Sequence, residues 1–205
     1  MSTHNENTRL ETFCDGVIAI AITLLILEIK VPPFESIHSV HDLTHALLES
    51  WPHWFGFLLS FIAILIAWVN HHSLFKLVDK SSPTFIYANG FLLLTLVVLP
   101  FPTALIAEYI QTEYAQPAVS LYCFVGVVHN FAWNILLYTM QNPVPLTRHD
   151  ASQKAIALGK NSTRAGFFLY LGIFILSFWY PFSALILITT SWLTWLVLGL
   201  AIKQD

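Results

Sequence analysis

With 205 residues, 56% of them hydrophobic and 10% charged, the chain carries well under the roughly 25% charge of a soluble domain. Its mean hydropathy of +0.67 and net charge of −3 mark an integral membrane protein with little mass outside the lipid bilayer and no nucleic-acid partner. Apolar runs and their breakers predict an all-α, polytopic fold of six transmembrane helices in a single domain, 1–205. The spans are roughly 8–31, 52–78, 84–110, 116–141, 162–180 and 182–203.

The N-terminus, MSTHNENTRLE, has neither the basic start nor the small-residue cleavage site of a signal peptide, so the first span is expected to stay. That span, RLETFCDGVIAIAITLLILEIKVP, is unusual. Only twelve residues separate Asp15 from Glu28, against the roughly 20 apolar residues that cross a bilayer in contact with lipid. At about 100° per residue, Gly16, Thr23, Leu24, Leu27 and Val31 fall within about 60° of Ile20, whereas Asp15 lies about 140° away. Such a stripe suits a helix gathered with others around an axis and shielded from lipid; an ordinary core helix of a bundle is the alternative. Asp15 is expected to point into its own subunit, toward a partner helix.

The outer loop that follows holds HDLTH, His41 to His45, close to the zinc-binding pattern HExxH, with His38 or His53 as a possible third ligand. The competing reading is a short amphipathic helix at the membrane surface with no metal. WVNHH, Trp68 to His72, places two histidines near the inner end of the second span, where polar groups face the bundle interior. Pro100 and Pro102 should kink the third span. The fourth carries His129, Asn130, Trp133 and Asn134, either an interhelical hydrogen-bond patch or a transport site. Pro181 forces a tight hairpin between the fifth and sixth. Cys14 and Cys123 lie at different depths and are read as unpaired thiols.

Of the nine basic residues, Arg9, Lys76, Lys80, Arg148, Lys154, Lys160, Arg164 and Lys203 fall on one side and only Lys30 on the other. Both termini are therefore expected in the cytoplasm. Glu28, Glu35, Asp42, Glu49, Glu108 and Glu113 gather outside. They either concentrate cations at a mouth or keep the loops soluble. No TVGYG-like filter, phosphate-binding glycine loop, nucleophile elbow or haem motif is present.

Arg9 to Pro32 resembles the RxxxFSDGVxAIAxTLLxLxxxVP signature of the transmembrane protein 175 family, potassium channels with single-repeat relatives in prokaryotes. The resemblance implies a potassium-preferring channel of a prokaryotic plasma membrane, with no cofactor, no enzymatic activity and potassium ions as its permeant partner. It implies a homotetramer with the first helix lining the central pore, Ile20, Leu24 and Leu27 as apolar constrictions and Thr23 linked to selectivity. Arg9, Phe13 and Asp15 match the motif that ties this helix to its neighbours, with Trp68, His71 or His72 as partners. Cys14 stands where the family has serine and should loosen that polar network, since a thiol is a weak donor. A secondary transporter with its site in the fourth span, or a zinc hydrolase, are the readings from other classes.

Overall fold

The computed structural model describes residues 7–201, with side chains through Leu196; Lys203 and the end of the sixth expected span lie outside them. The described residues form eight α-helices and no strand. They are α1 (Thr8–Leu24), α2 (Val40–Glu49), α3 (Trp51–Phe75), α4 (Pro83–Val97), α5 (Pro100–Tyr109), α6 (Ala115–Thr139), α7 (Gln153–Ser177) and α8 (Pro181–Ala201).

Three of these depart from the spans read in the sequence. The first span stops as an α-helix at Leu24, tightens into a 3₁₀ turn at Leu25–Glu28 and becomes extended at Ile29. Pro32 keeps the helix from resuming, because the residue before a proline is pushed out of the helical region. The third span is two helices, α4 and α5, with Pro100 opening the second of them. Two prolines in three residues remove two backbone donors, and Phe101 bonds back to Val98 instead. The fifth begins at Gln153, well before residue 162. Ser152 caps it by accepting from the Ala155 amide, so a polar first half, QKAIALGKNSTR, is helical too.

Among the described residues, four segments are long and apolar enough to cross a membrane: Thr8–Glu28, Trp51–Phe75, Pro83–Tyr109 and Ala115–Thr139. This is a multi-pass membrane protein. The α3–α4 and α6–α7 connections meet at one end of the bundle, where Val78 pairs with Thr147 and the amides of Asp79 and Lys80 donate to the Leu146 carbonyl. Near that end Leu74, Phe85, Leu136 and Met140 form a compact apolar cluster. A larger core runs through α1, α3, α5, α6, α7 and α8, built on Cys14, Ile18, Ile64, Ile106, Tyr122 and Ile188.

Helices α3 and α5 approach closely at Gly56, where an added Cβ would lie 3.1 Å from the Thr103 methyl and 3.4 Å from its carbonyl oxygen. Thr103 cannot step aside. Its hydroxyl donates to the Leu99 carbonyl at 2.8 Å and accepts from Ser60 at 2.5 Å, all within the core. Gly56→Val should therefore destabilise the protein by about 1–3 kcal/mol, the usual range for overpacking. A fall in melting temperature of the detergent-solubilised protein checks this, and an unchanged one would mean that α5 is free to shift.

Candidate functional site

Helix α1 carries Glu11 in its first turn, where the helix dipole favours an acid, and contains no proline. Cys14, Ile18, Ala21 and Leu25 are buried against the rest of the chain. The opposite face is bare: Ile20 is 61% exposed, Leu24 43% and Leu27 71%. In a 3₁₀ turn, residues three apart eclipse. Leu27 consequently stays over Leu24 although the α-helix has ended. Val31 falls beyond the turn, so the stripe ends at Leu27 and not at Val31.

Thr23 is exposed on the same side, and its hydroxyl donates to the Ile20 carbonyl at 2.9 Å. The partner is the residue three back on the same helix. With its proton committed to the backbone, the oxygen presents lone pairs outward, which is what a cation requires.

The inward face of α1 is held by a ladder of polar pairs to α3. Trp68 donates its indole N–H to Asp15 at 3.0 Å, and one turn below, His72 Nδ1 lies 3.5 Å from Glu11. The Trp68 and His72 rings stack between the two rungs. Asp15 is half-buried and points at its own subunit's α3. His71 belongs elsewhere. It is buried and donates from Nε2 to Asn89 Oδ1 of α4 at 2.9 Å, while Asn89 in turn donates to the Phe85 carbonyl.

Arg9 and Phe13 are not part of this ladder. Both are exposed, Phe13 by 62%, and Arg9 makes no ion pair among the described residues. The reason is helical phase: both project within about 20° of Ile20, so they extend the bare stripe downward. The motif therefore splits, with Asp15 tying α1 to α3 inside the chain and Arg9 and Phe13 left on its open face. Cys14 is fully buried among apolar side chains. The signal that would have found Glu11 was its i,i+4 spacing to Asp15; Asn89 gave none, since its partner lies on another helix.

The patch on α6 is internally satisfied. Trp133 donates to His129 Nε2 at 3.0 Å, and His129 Nδ1 meets Thr95 of α4 at 2.8 Å. Asn134 donates to the carbonyls of Asn130 and Thr163, and Thr163 donates back to its amide oxygen. Between α1 and α3, α2 is capped by Ser39, which accepts from the Asp42 amide, and its apolar residues Val40, Leu43, Leu47 and Leu48 are exposed. His41 stacks on His45, which pairs with Glu49. Among the described residues no three His, Cys, Asp or Glu side chains are grouped to hold a metal. At the same end, Glu108 of α5 accepts from Lys30 at 3.3 Å, with His53 4.0 Å away.

A family model described as the endosomal/lysosomal potassium channel TMEM175 matches residues 9–100. A Chamaesiphon minutus protein named as a potassium channel is 41% identical over 174 residues, 85% of each chain. The chain belongs to the TMEM175 family. A Streptomyces collinus protein named as a potassium channel is 37% identical over 166 residues, covering 80% of this chain and 77% of its own. The crystal structure of a lysosomal potassium-selective channel TMEM175 homolog from Chamaesiphon minutus superimposes with a TM-score of 0.86 at 36% identity, over 96% of this chain and 99% of that one. The TMEM175 family is one of ion channels and not of enzymes, which sets aside the zinc hydrolase reading.

Proposed function

We propose that this chain is a potassium-preferring cation channel in which four copies gather around α1 to enclose a central pore. The observation that carries this reading is the bare stripe of α1. Ile20, Leu24 and Leu27 are uncovered in the single chain, and a ring of copies would turn that face away from lipid. Packed as a ring, Ile20, Leu24 and Leu27 form apolar constrictions that gate by dewetting. Thr23 sets its oxygen lone pairs between them as a polar layer bearing on selectivity. Arg9 and Phe13, at the foot of the stripe, meet a neighbouring copy, whereas Asp15, Trp68 and His72 hold α1 within its own subunit and His71 braces α3 against α4. Relatives named as potassium channels support the permeant ion.

In the same reading α7 and α8 complete six spans of one channel domain. The positive end, with Lys76, Lys80, Arg148, Lys154, Lys160 and Arg164, faces the cytoplasm of a prokaryotic cell together with both termini. The transporter reading is disfavoured because the polar groups on α6 are bonded to one another and to α4 and α7. Recording from the purified protein in planar bilayers, with potassium and sodium on opposite sides, tests the proposal. Unitary currents with a potassium-directed reversal potential are expected, and saturating coupled flux without unitary currents would overturn it.

Thr23 gives a sharper test. Thr23→Ala removes the exposed hydroxyl, with its neighbouring methyl, and should lower the potassium-over-sodium permeability ratio about threefold to tenfold, a loss of about 0.7–1.4 kcal/mol of discrimination. Oligomer stability should be little changed, because the side chain is exposed and its one hydrogen bond is local to α1. An unaltered reversal potential in intact oligomers would move selectivity to another part of the helix.

A further inference from the structure

Between α3, α6, α7 and α8, toward the end that carries the α3–α4 and α6–α7 connections, lies a cavity of about 590 Å³. Small-molecule sites commonly enclose roughly 300–1,000 Å³. Its walls are mostly apolar, with Trp133, Leu137 and Trp195 among them, and no Lys, Arg, Asp or Glu of the described residues lines it. Two polar side chains on the wall stand apart, and beside them the buried indole N–H of Trp192 is also without a hydrogen-bond partner among the described residues. Asn70 of α3 and Ser162 of α7 make no side-chain hydrogen bond among the described residues. Their neighbours do otherwise, for Ser73 donates to the Val69 carbonyl and Thr163 to that of Lys160.

A hydroxyl or amide without a partner is costly where water is scarce. An occupant that satisfies both groups must hydrogen-bond without carrying charge, since a carboxylate or phosphate would find no cation on this wall. The remaining surface calls for an aliphatic chain. Asn70 is exposed and Leu158 is 63% exposed, so the cavity opens on the surface of the chain, and in a multi-pass membrane protein an opening with an apolar rim suits a bilayer chain. We propose that this cavity binds one neutral bilayer lipid, a single aliphatic chain whose uncharged hydroxyl- or ester-bearing head bonds to Asn70 and Ser162. The site is separate from the stripe of α1 and does not depend on which ion the channel passes.

The test uses the full chain in phosphatidylcholine nanodiscs with a monoacylglycerol carrying a photoreactive diazirine in its acyl chain, and maps the cross-links by peptide mass spectrometry. Saturable labelling of α6, α7 and α8 peptides is expected, displaced by monooleoylglycerol and not by oleate. Gly159 lines the cavity, and a Cβ added there meets nothing within 4 Å. Gly159→Leu should therefore fill the void without disturbing the helix and lower saturable labelling about tenfold or more. As a second variant, Asn70→Ala with Ser162→Ala should raise the half-saturating concentration about threefold for each hydrogen bond lost, with the oligomer intact on size exclusion. Labelling that is unsaturable, that survives Gly159→Leu, or that oleate displaces equally well would overturn the proposal. So would labelling that emerges only when residues 202–205 are deleted, because the cavity would then belong to the chain's own end.

Discussion

Ile20→Asn should raise unitary potassium conductance about tenfold, the effect of lowering a permeation barrier by about 1.4 kcal/mol. A ring of isoleucines offers a dehydrating ion no oxygen, whereas an asparagine ring supplies carbonyl acceptors and holds water. Ile20→Ala widens the same ring without adding polarity and should give a smaller rise. Because Ile20 is 61% exposed in the single chain, neither change removes packing from its own subunit. Stability should hold while conductance moves, and single-channel recording beside a melting curve reads both. Unchanged conductance in intact oligomers would place the constriction elsewhere.

The second large effect lies on the opposite face of the same helix. Asp15→Ala removes the acceptor for the Trp68 indole N–H, and hydrogen bonds to a carboxylate contribute about 1.5–3 kcal/mol. Asp15 is half-buried and held by a single neutral donor, so the cost is set by one bond and not by a broken buried ion pair. Asp15→Asn keeps an acceptor and should retain much of the stability; Trp68→Phe removes only the donor. The double variant should be little worse than either single one, because the two residues share one interaction. Thermal unfolding of the four proteins measures this coupling. Stable oligomers with selectivity abolished by Asp15→Ala would instead place Asp15 in the permeation path.

What could be read from the sequence was what helical periodicity and proline encode. The bare face of α1 follows from the spacing of Ile20, Leu24 and Leu27, the break between α4 and α5 from Pro100, and the start of α8 from Pro181. Hydropathy misplaced the start of α7, because its first half carries Lys154, Lys160 and Arg164 and reads as loop. Ser152 as a cap was the available signal. Grouping Arg9 and Phe13 with Asp15 followed a linear motif, but a motif does not state which face of a helix each member occupies. The pairing of His71 with Asn89 depends on how α3 and α4 are rotated against each other, which no local pattern of either helix records.

The two ends of α1 rest on different supports. Its body packs on α3 and α4, while the 3₁₀ turn above it packs on α3 and α5, and Lys30 just beyond reaches Glu108 at the end of α5. Since α4 and α5 are separate rods joined at Leu99, the two ends have only α3 as a common support. Damage to the Asp15–Trp68 rung and to the Lys30–Glu108 pair accordingly sums in free energy instead of compounding, as distant independent sites do. The helix is anchored like a plank on two trestles, and each end can be retuned alone.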